Sequence, residues 1–422
     1  MAGVILTLNS GSSSLKFALY QPRDQVRPEP GDCILHGAIE SCEEGARFSA
    51  VDKTGKVLVD QSLLPRTNDE EHPPHGVRID AIMPCLEWIE DHLGDAQLSA
   101  VGHRILHGGS RYLGPTRLSQ QVLADLADLI PFGPLHQPAC LAPASVLAKT
   151  RPDLPQIACF DTAFHQSMPD VAKRLPLPRR YDDAGIRRYG FHGLSYAYIA
   201  GRLSEIAPDI ANGRVIVAHL GNGASLCALR NGASVETTMS LTALDGLVMG
   251  TRCGTVDPGA VIYLAQAERR SPDEIVDILY RQSGLLGVSG VSSDMRELRE
   301  AASVNSVRQA LELFTYRVVQ QIGALTAVLG GLDGLVFTAG IGEHDAVLRR
   351  DICAALGWLG VVLDEERNAR ALSVISADDS RVRVFAEPTN ENLMICRAVC
   401  SCLGHSGQSH TDGDLSTDIG SK

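Results

Sequence analysis

Three apolar runs of strand character along the chain are each broken by a glycine-rich segment. Val4-Ile5-Leu6-Thr7-Leu8 leads into Asn9-Ser10-Gly11-Ser12-Ser13-Ser14-Leu15-Lys16 and then a second apolar run, Phe17-Ala18-Leu19-Tyr20. Val215-Ile216-Val217-Ala218-His219-Leu220 leads into Gly221-Asn222-Gly223-Ala224-Ser225 and then Leu226-Cys227-Ala228-Leu229. Gly334-Leu335-Val336-Phe337-Thr338 leads into a third turn, Ala339-Gly340-Ile341-Gly342-Glu343. The first two share one order (strand, Gly/Ser/Asn hairpin, strand) and lie half a chain apart, which predicts an internally duplicated α/β unit. Between them Ile79, Ile82, Met83, Leu86 and Ile89 recur at helical spacing and predict a helix over Ile79 to His92; a second is predicted over Val307 to Leu329. Strands alternating with such helices predict mixed sheets covered on both faces. Gln61 to Gly76, rich in proline and histidine, predicts a loop, and Ser406 to Lys422, without apolar periodicity, a disordered tail.

Length turns this duplication into two domains, because 422 residues exceed one ordinary core. The formal charge of −12 disfavours nucleic acid and anionic membranes as partners, and no apolar run reaches the 18 residues of a membrane span. Met1 to Leu8 reads as a buried strand rather than a signal peptide. Eleven singly scattered cysteines fit reduced thiols, and together these features predict a cytoplasmic protein. Cys396, Cys400, Cys402 and His405 cluster without C-x-x-C spacing, so a helix turning small thiols to a core is expected ahead of a zinc site.

A Gly/Ser/Asn hairpin after a buried strand offers backbone N–H groups to an anion, and Lys16 adds charge to the first. The chain has no G-x-x-x-x-G-K-[ST] phosphate loop, no dinucleotide G-x-G-x-x-G and no H-E-x-x-H. Arg104 in Gly102-His103-Arg104-Ile105-Leu106-His107-Gly108-Gly109 and Arg252 in Gly250-Thr251-Arg252-Cys253-Gly254 sit among apolar and glycine neighbours, a poor setting for a casual solvated charge. Arginine is suited to bidentate recognition of carboxylate and phosphate. His192 in Tyr189-Gly190-Phe191-His192-Gly193 and His136 in Pro134-Leu135-His136-Gln137-Pro138 are further candidates. Asp161 ends an apolar run, where an unpaired carboxylate is costly. Glu391 reads either as a helix-start acid after a Thr389-Asn390 cap or as a Mg²⁺ ligand; Asp294-Met295-Arg296 reads as a capped helix start.

Eight ordered motifs together are similar to those of the acetate and propionate kinase family: Asn9 to Lys16, Gly102-His103-Arg104, Phe160 to His165, Gly190 to Gly193, His219 to Gly223, Gly250-Thr251-Arg252, Thr338 to Glu343, and Thr389-Asn390-Glu391. The resemblance runs from about Val4 to about Leu403. It implies the actin-like ATPase superfamily fold with a duplicated ribonuclease H-like core. It implies residues 1–157 with 385–405 as one domain, 158–384 as a nucleotide-binding domain holding a homodimer interface, and 406–422 as tail. The implied reaction is reversible, direct transfer of the ATP γ-phosphoryl to acetate, giving acetyl phosphate and ADP. Propionate or another short-chain acid is the alternative substrate, and an actin- or Hsp70-like nucleotide switch the non-enzyme alternative. The acid ionises near ~4, so no general base is required.

Carried over by motif, Arg104, Arg252, His192, His136 and Asp161 form the reacting centre, and Arg104, Leu106, Leu135, Phe191 and Ala243 surround the acid. ATP is held by Asn9, Ser12, Ser14, Lys16, His219, Leu220, Gly221, Asn222, Gly223, Asp294, Met295, Arg296, Gly340, Ile341, Gly342 and His344. Asn9 and Glu391 place Mg²⁺, with Mn²⁺ as a substitute. The chain departs from the family pattern at Leu194-Ser195-Tyr196, Ala243, Thr255 and His344. Leu106, larger than the usual valine, implies acetate ahead of propionate and butyrate.

Overall fold

The repeated hairpin pattern builds two sheets with one shared topology. A computed structural model describes residues 3–11, 14–23, 27–42, 45–65, 79–94 and 96–405. The first sheet contains β1 (Val4–Ser10), β2 (Ser14–Tyr20), β3 (Cys33–Cys42), β4 (Gly45–Asp52), β5 (Val57–Pro65), β6 (Leu98–Ile105), β7 (Thr116–Arg117) and β8 (Gln156–Phe160), in the order β5-β4-β3-β2-β1-β6-β8-β7. The second contains β9 (Arg214–Leu220), β10 (Ala224–Arg230), β11 (Ala233–Thr237), β12 (Gly334–Thr338) and β13 (Arg383–Ala386), in the order β11-β10-β9-β12-β13. The segments β3-β2-β1-β6-β8 and β11-β10-β9-β12-β13 match pair for pair: two antiparallel pairings, then two parallel ones. The duplication read from two hairpins therefore extends over five strands.

Alternation fixes what each face packs against. Val4, Leu6 and Leu8 of β1 join Ala81, Ile82, Leu86 and Ile89 of the Ile79–His92 helix, formed as its spacing predicts. Ile5, on the opposite face, meets Leu393, Ile395, Cys396, Val399 and Cys400 of the Glu391–His405 helix. Cys396 and Cys400 are thus core thiols. Gly102 of β6 lets that helix approach: a Cβ there would lie 2.3 Å from Ile395 Cγ2 and 2.7 Å from Val399 Cγ2. In the second sheet Ile216, Ala218 and Leu220 pack with Val318, Ile322 and Leu325 of the Asn305–Leu329 helix, the second expected one. Val215 and Val217 face Tyr196, Ile199 and Leu203 of the Gly193–Ile206 helix. That helix packs on the Glu391–His405 helix, so the two stand between the sheets.

The structure corrects two expectations. Gln61 to Pro65, expected as loop, completes β5 and pairs with Gly45 to Phe48. As an edge strand, β5 tolerates polar residues and a terminal proline. The rest of that stretch, 66–76, and the tail 406–422 lie outside the described residues. Ala339 to Glu343, expected as a turn, is the start of a short helix, Ala339–His344. The domain boundaries expected after residues 157 and 384 fall inside β8 and β13.

Candidate active site

The β1–β2 and β9–β10 turns and the carboxyl ends of β6 and β12 face one cleft of about 1420 Å³. Open α/β sheets generally bind ligands at these ends of their strands.

Arg104 lies one residue before the end of β6, and Asp161 one residue after β8. Arg104 Nη2 donates to Asp161 Oδ2 at 2.6 Å and Nε to both carboxylate oxygens at 3.1 and 3.2 Å, while Nη1 donates to Ser10 O on β1. Three strands thereby fix one guanidinium. The side chains are 11% and 2% exposed. Burial opposes the Arg104 charge, but Asp161 outweighs it and moves the guanidinium pKa up. Asp161 does not line the cleft itself; its carboxylate is taken up by Arg104, which does.

Arg252 is arranged differently. Its Nη1 donates to Ala243 O at 2.7 Å, and among the described residues it has no carboxylate partner. Burial, with Arg104 nearby, lowers its pKa to about 10. A partly buried guanidinium without a counter-ion is costly, and the missing charge is an anion's. Gly223 is necessary beside it: a Cβ there would lie 2.9 Å from Arg252 Nη2 and 3.4 Å from His192 Nε2. The second hairpin thus reaches both groups with bare backbone. His192 has left-handed φ, 60°, as has Ala339, 64°, both strained values for side-chain-bearing residues at the cleft. The His192 ring stacks on His219 with centroids 4.1 Å apart. Nδ1 of His192 meets Ser225 Oγ at 2.8 Å, and Nδ1 of His219 meets Ser195 Oγ at 2.8 Å. Burial, then His219 and the guanidinium charges of Arg104 and Arg252, hold His192 well below the ordinary histidine pKa; burial takes His219 to about 4.

Leu106, Phe191, Ala243 and His136 form an apolar corner of the cleft. A Cβ on Gly133 would lie 2.4 Å from Leu106 Cδ2, so Leu106 is wedged against that backbone. Asn9, Ser14 and Lys16 come from the first hairpin; His219, Gly221, Asn222 and Gly223 from the second. Asp294, Met295 and Arg296 line the far wall, where Asp294 caps the Met295–Glu300 helix through Arg296 N at 2.7 Å, as its sequence predicts. Gly340, Ile341 and His344 line it from the short helix after β12. Glu391 begins its helix, as the helix-start reading expects, and also lines the cleft. Asn9 Nδ2 donates to Glu391 Oε2 at 2.7 Å. Among the described residues no group of three or more His, Cys, Asp or Glu side chains is placed to hold a metal. One carboxylate and one amide oxygen suit Mg²⁺, which takes few protein ligands and completes its shell with phosphate oxygens and water.

Leu135, Leu220 and Gly342 do not line the cleft, contrary to the carried-over set. Leu220 and Gly342 are buried behind its wall, and Leu135 sits beside His136, which alone of the two faces in. Ser12 lies outside the described residues. The carried-over site set also left out wall residues: Arg299, bonded to Asp345 at 2.9 Å, Glu343, which accepts from Thr389 N, and Asn390. Glu343 and Asn390 stand inside two of the quoted motifs, and Arg299 stands three residues beyond Arg296 on the capped helix.

Residues 4–397 match the model of the Acetokinase family. The chain is 48% identical over 402 residues to an acetate kinase of Rhodopseudomonas palustris, covering 94% of this chain and 98% of that protein. It is 46% identical to an acetate kinase of Methylocella silvestris, covering 96% and 98%. Among solved structures, a propionate kinase from Francisella tularensis superposes with a TM-score of 0.83 at 33% identity, covering 94% and 98% of the two chains. Porphyromonas gingivalis acetate kinase superposes with 0.79 at 34% identity, covering 95% and 100%.

Proposed function

This chain belongs to the acetokinase family, and from that premise we propose that it is an acetate kinase, transferring the γ-phosphoryl of ATP reversibly and in line to a carboxylate oxygen. Its fold is the actin-like ATPase fold, mixed α/β on a duplicated core. The observation that carries the reaction is Arg252, a partly buried guanidinium lining the cleft with no carboxylate partner among the described residues, beside Arg104 and His192. An anionic acid and a phosphoryl group in transit supply the charge this centre lacks. In this reading Arg104, held by Asp161, orients the acid, while Arg252 and His192 Nε2 receive the equatorial oxygens of the phosphoryl group. Catalysis is then positioning and charge neutralisation, with no base needed for an already ionised acid. Leu106, Phe191 and Ala243 bound the methyl group, and both hairpins, Asp294 to Arg296 and the Gly340 helix hold the nucleotide. Asn9 and Glu391 are the chain's donors for Mg²⁺ or Mn²⁺, which when bound offsets phosphate charge.

Each sheet with its helices forms one lobe, and the lobes close to keep water from the acyl phosphate. The Pro258–Gln266 helix supports a homodimer: it buries none of its residues, carries no charge, and leaves Ile262 55% and Tyr263 60% exposed. An uncharged apolar face suits a second copy of itself. Among the described residues no helix is long and apolar enough to cross a membrane. Buried free thiols such as Cys85, Cys159 and Cys227 support a cytoplasmic setting.

The test is trapping of acyl phosphate as hydroxamate with ATP, Mg²⁺ and acetate. Hydroxamate dependent on both substrates is expected; none with acetate, propionate or butyrate would reject the reaction.

A further inference from the structure

Tyr196 is one of the positions where the chain departs from the family pattern, and it sits one helical turn beyond His192, with its N donating to His192 O at 3.1 Å. It is completely buried. His165, Phe164 and His219 enclose its ring at centroid distances of 5.6, 6.3 and 6.3 Å. Its hydroxyl meets Ser225 Oγ at 2.5 Å, and Ser225, also completely buried, meets His192 Nδ1 at 2.8 Å. No other hydrogen-bond partner of these two hydroxyls is present among the described residues.

The hydrogens can be placed by elimination. The two hydroxyls carry one hydrogen each, and neutral His192 carries one on either nitrogen. If Ser225 donated to Tyr196, the phenol hydrogen would have no acceptor among the described residues. If Ser225 accepted from both neighbours, its own hydrogen would have none. Either leaves a buried donor unsatisfied, which proteins avoid. One arrangement uses every hydrogen: Tyr196 donates to Ser225, Ser225 donates to His192 Nδ1, and Nε2 carries the imidazole hydrogen. Nε2 is the nitrogen that faces Gly223 beside Arg252 Nη2. Burial keeps the phenol neutral, raising its pKa well above the ordinary value, and keeps the imidazole neutral, as the arrangement needs.

We propose that Tyr196 and Ser225 form a two-hydroxyl relay that locks His192 as the Nε2–H tautomer, so that Tyr196 is a positioning residue for phosphoryl transfer. The proposal rests on the reading that His192 Nε2 meets the phosphoryl group. A histidine free to exchange tautomers would present a lone pair to phosphate oxygen for part of the time and lose the hydrogen bond.

The experiment is ¹⁵N NMR of the resting, histidine-labelled full chain, with the His192 signals identified by their loss in His192→Gln. The wild type should show a protonated Nε2 and an unprotonated Nδ1. Tyr196→Phe, which keeps the ring, should bring the two shifts toward each other. It should lower kcat about tenfold with KM for acetate and ATP within about twofold, the scale of one lost neutral hydrogen bond. Ser225→Ala should do the same, and the double variant Tyr196→Phe/Ser225→Ala should be no worse than Ser225→Ala. A protonated Nδ1 in the wild type, or an unchanged spectrum in Tyr196→Phe, overturns the relay. A changed spectrum with unchanged kcat overturns the positioning role. The spectrum is read without turnover, so it stands or falls separately from the acetate kinase reading.

Discussion

The two sheets repeat one five-strand topology, yet they bring different chemistry to the cleft. The first brings a charge held by a charge: Arg104 on β6, clamped by Asp161 beyond β8 and by Ser10 O on β1. The second brings bare backbone, at Gly223, and a cation supported by neutral groups, Arg252 on Ala243 O. One lobe therefore presents a finished ion pair at a strand end, and the other an unfinished one on the loop between β11 and the Pro258–Gln266 helix. In the proposed reaction the finished pair orients the acid, and the unfinished one takes up the ligand's charge.

That contrast is broken most directly by removing each arginine. Arg252→Ala and Arg104→Ala should each lower kcat by roughly 10³- to 10⁵-fold, the scale of an arginine that neutralises a phosphoryl in transit. Their stabilities should differ. Arg252→Ala removes an uncompensated partly buried charge, so its melting temperature should equal or exceed that of the wild type. Arg104→Ala strands Asp161 and should cost about 3–5 kcal/mol, read from urea unfolding. Equal stabilities would erase the distinction. Asp161→Asn is the next smaller step: it keeps the shape, loses the charge, and should raise the acetate KM well before it alters the ATP KM.

Acid should distinguish neutral from charged parts of the fold. Burial depresses His103, His107, His165 and His219 to about 4. Below an unfolded value of ~6.5 the unfolded chain binds more protons at each site, so stability falls as pH drops from about 6.5 to about 4, by up to about 1.4 kcal/mol per pH unit per histidine. Urea midpoints at pH 7 and 5 check this, and His103→Gln should make the slope shallower by one histidine's share.

The smallest effect concerns the acid corner. Leu106 is wedged against Gly133, and Ala243, with its small side chain, lines the same cleft. Acetate should lead propionate modestly in kcat/KM and butyrate by more, since one misfitted methylene is worth about 1–3 kcal/mol. Leu106→Ala should shift preference toward propionate with the ATP constant nearly unchanged. Propionate or butyrate leading in the wild type would make Ala243 the controlling wall.

Much of this was legible because hairpins and amphipathic helices announce themselves by local spacing. β5 was missed because an edge strand with one partner tolerates residues that read as loop. The site was legible as motifs and less so as surfaces. A motif is contiguous in sequence, but neighbouring side chains on a strand point opposite ways, so His219 faces the cleft while Leu220 enters the core. Asp161 announced a costly carboxylate, and the cost is met by Arg104 rather than by a ligand. Glu343 and Asn390 were legible as members of two motifs, but the contact of Thr389 N with Glu343 that joins those motifs at the wall lies between segments far apart in the chain, which no spacing encodes. Tyr196 looked like a mere departure until Ser225 was found against it.

In the proposed reaction both halves act on a single phosphoryl group passing directly between ATP and the acid. The stereochemistry of transfer from ATP made chiral at the γ-phosphorus reads that passage. One in-line displacement predicts acyl phosphate of inverted configuration; retention would require two displacements through a phosphorylated side chain and would contradict the account.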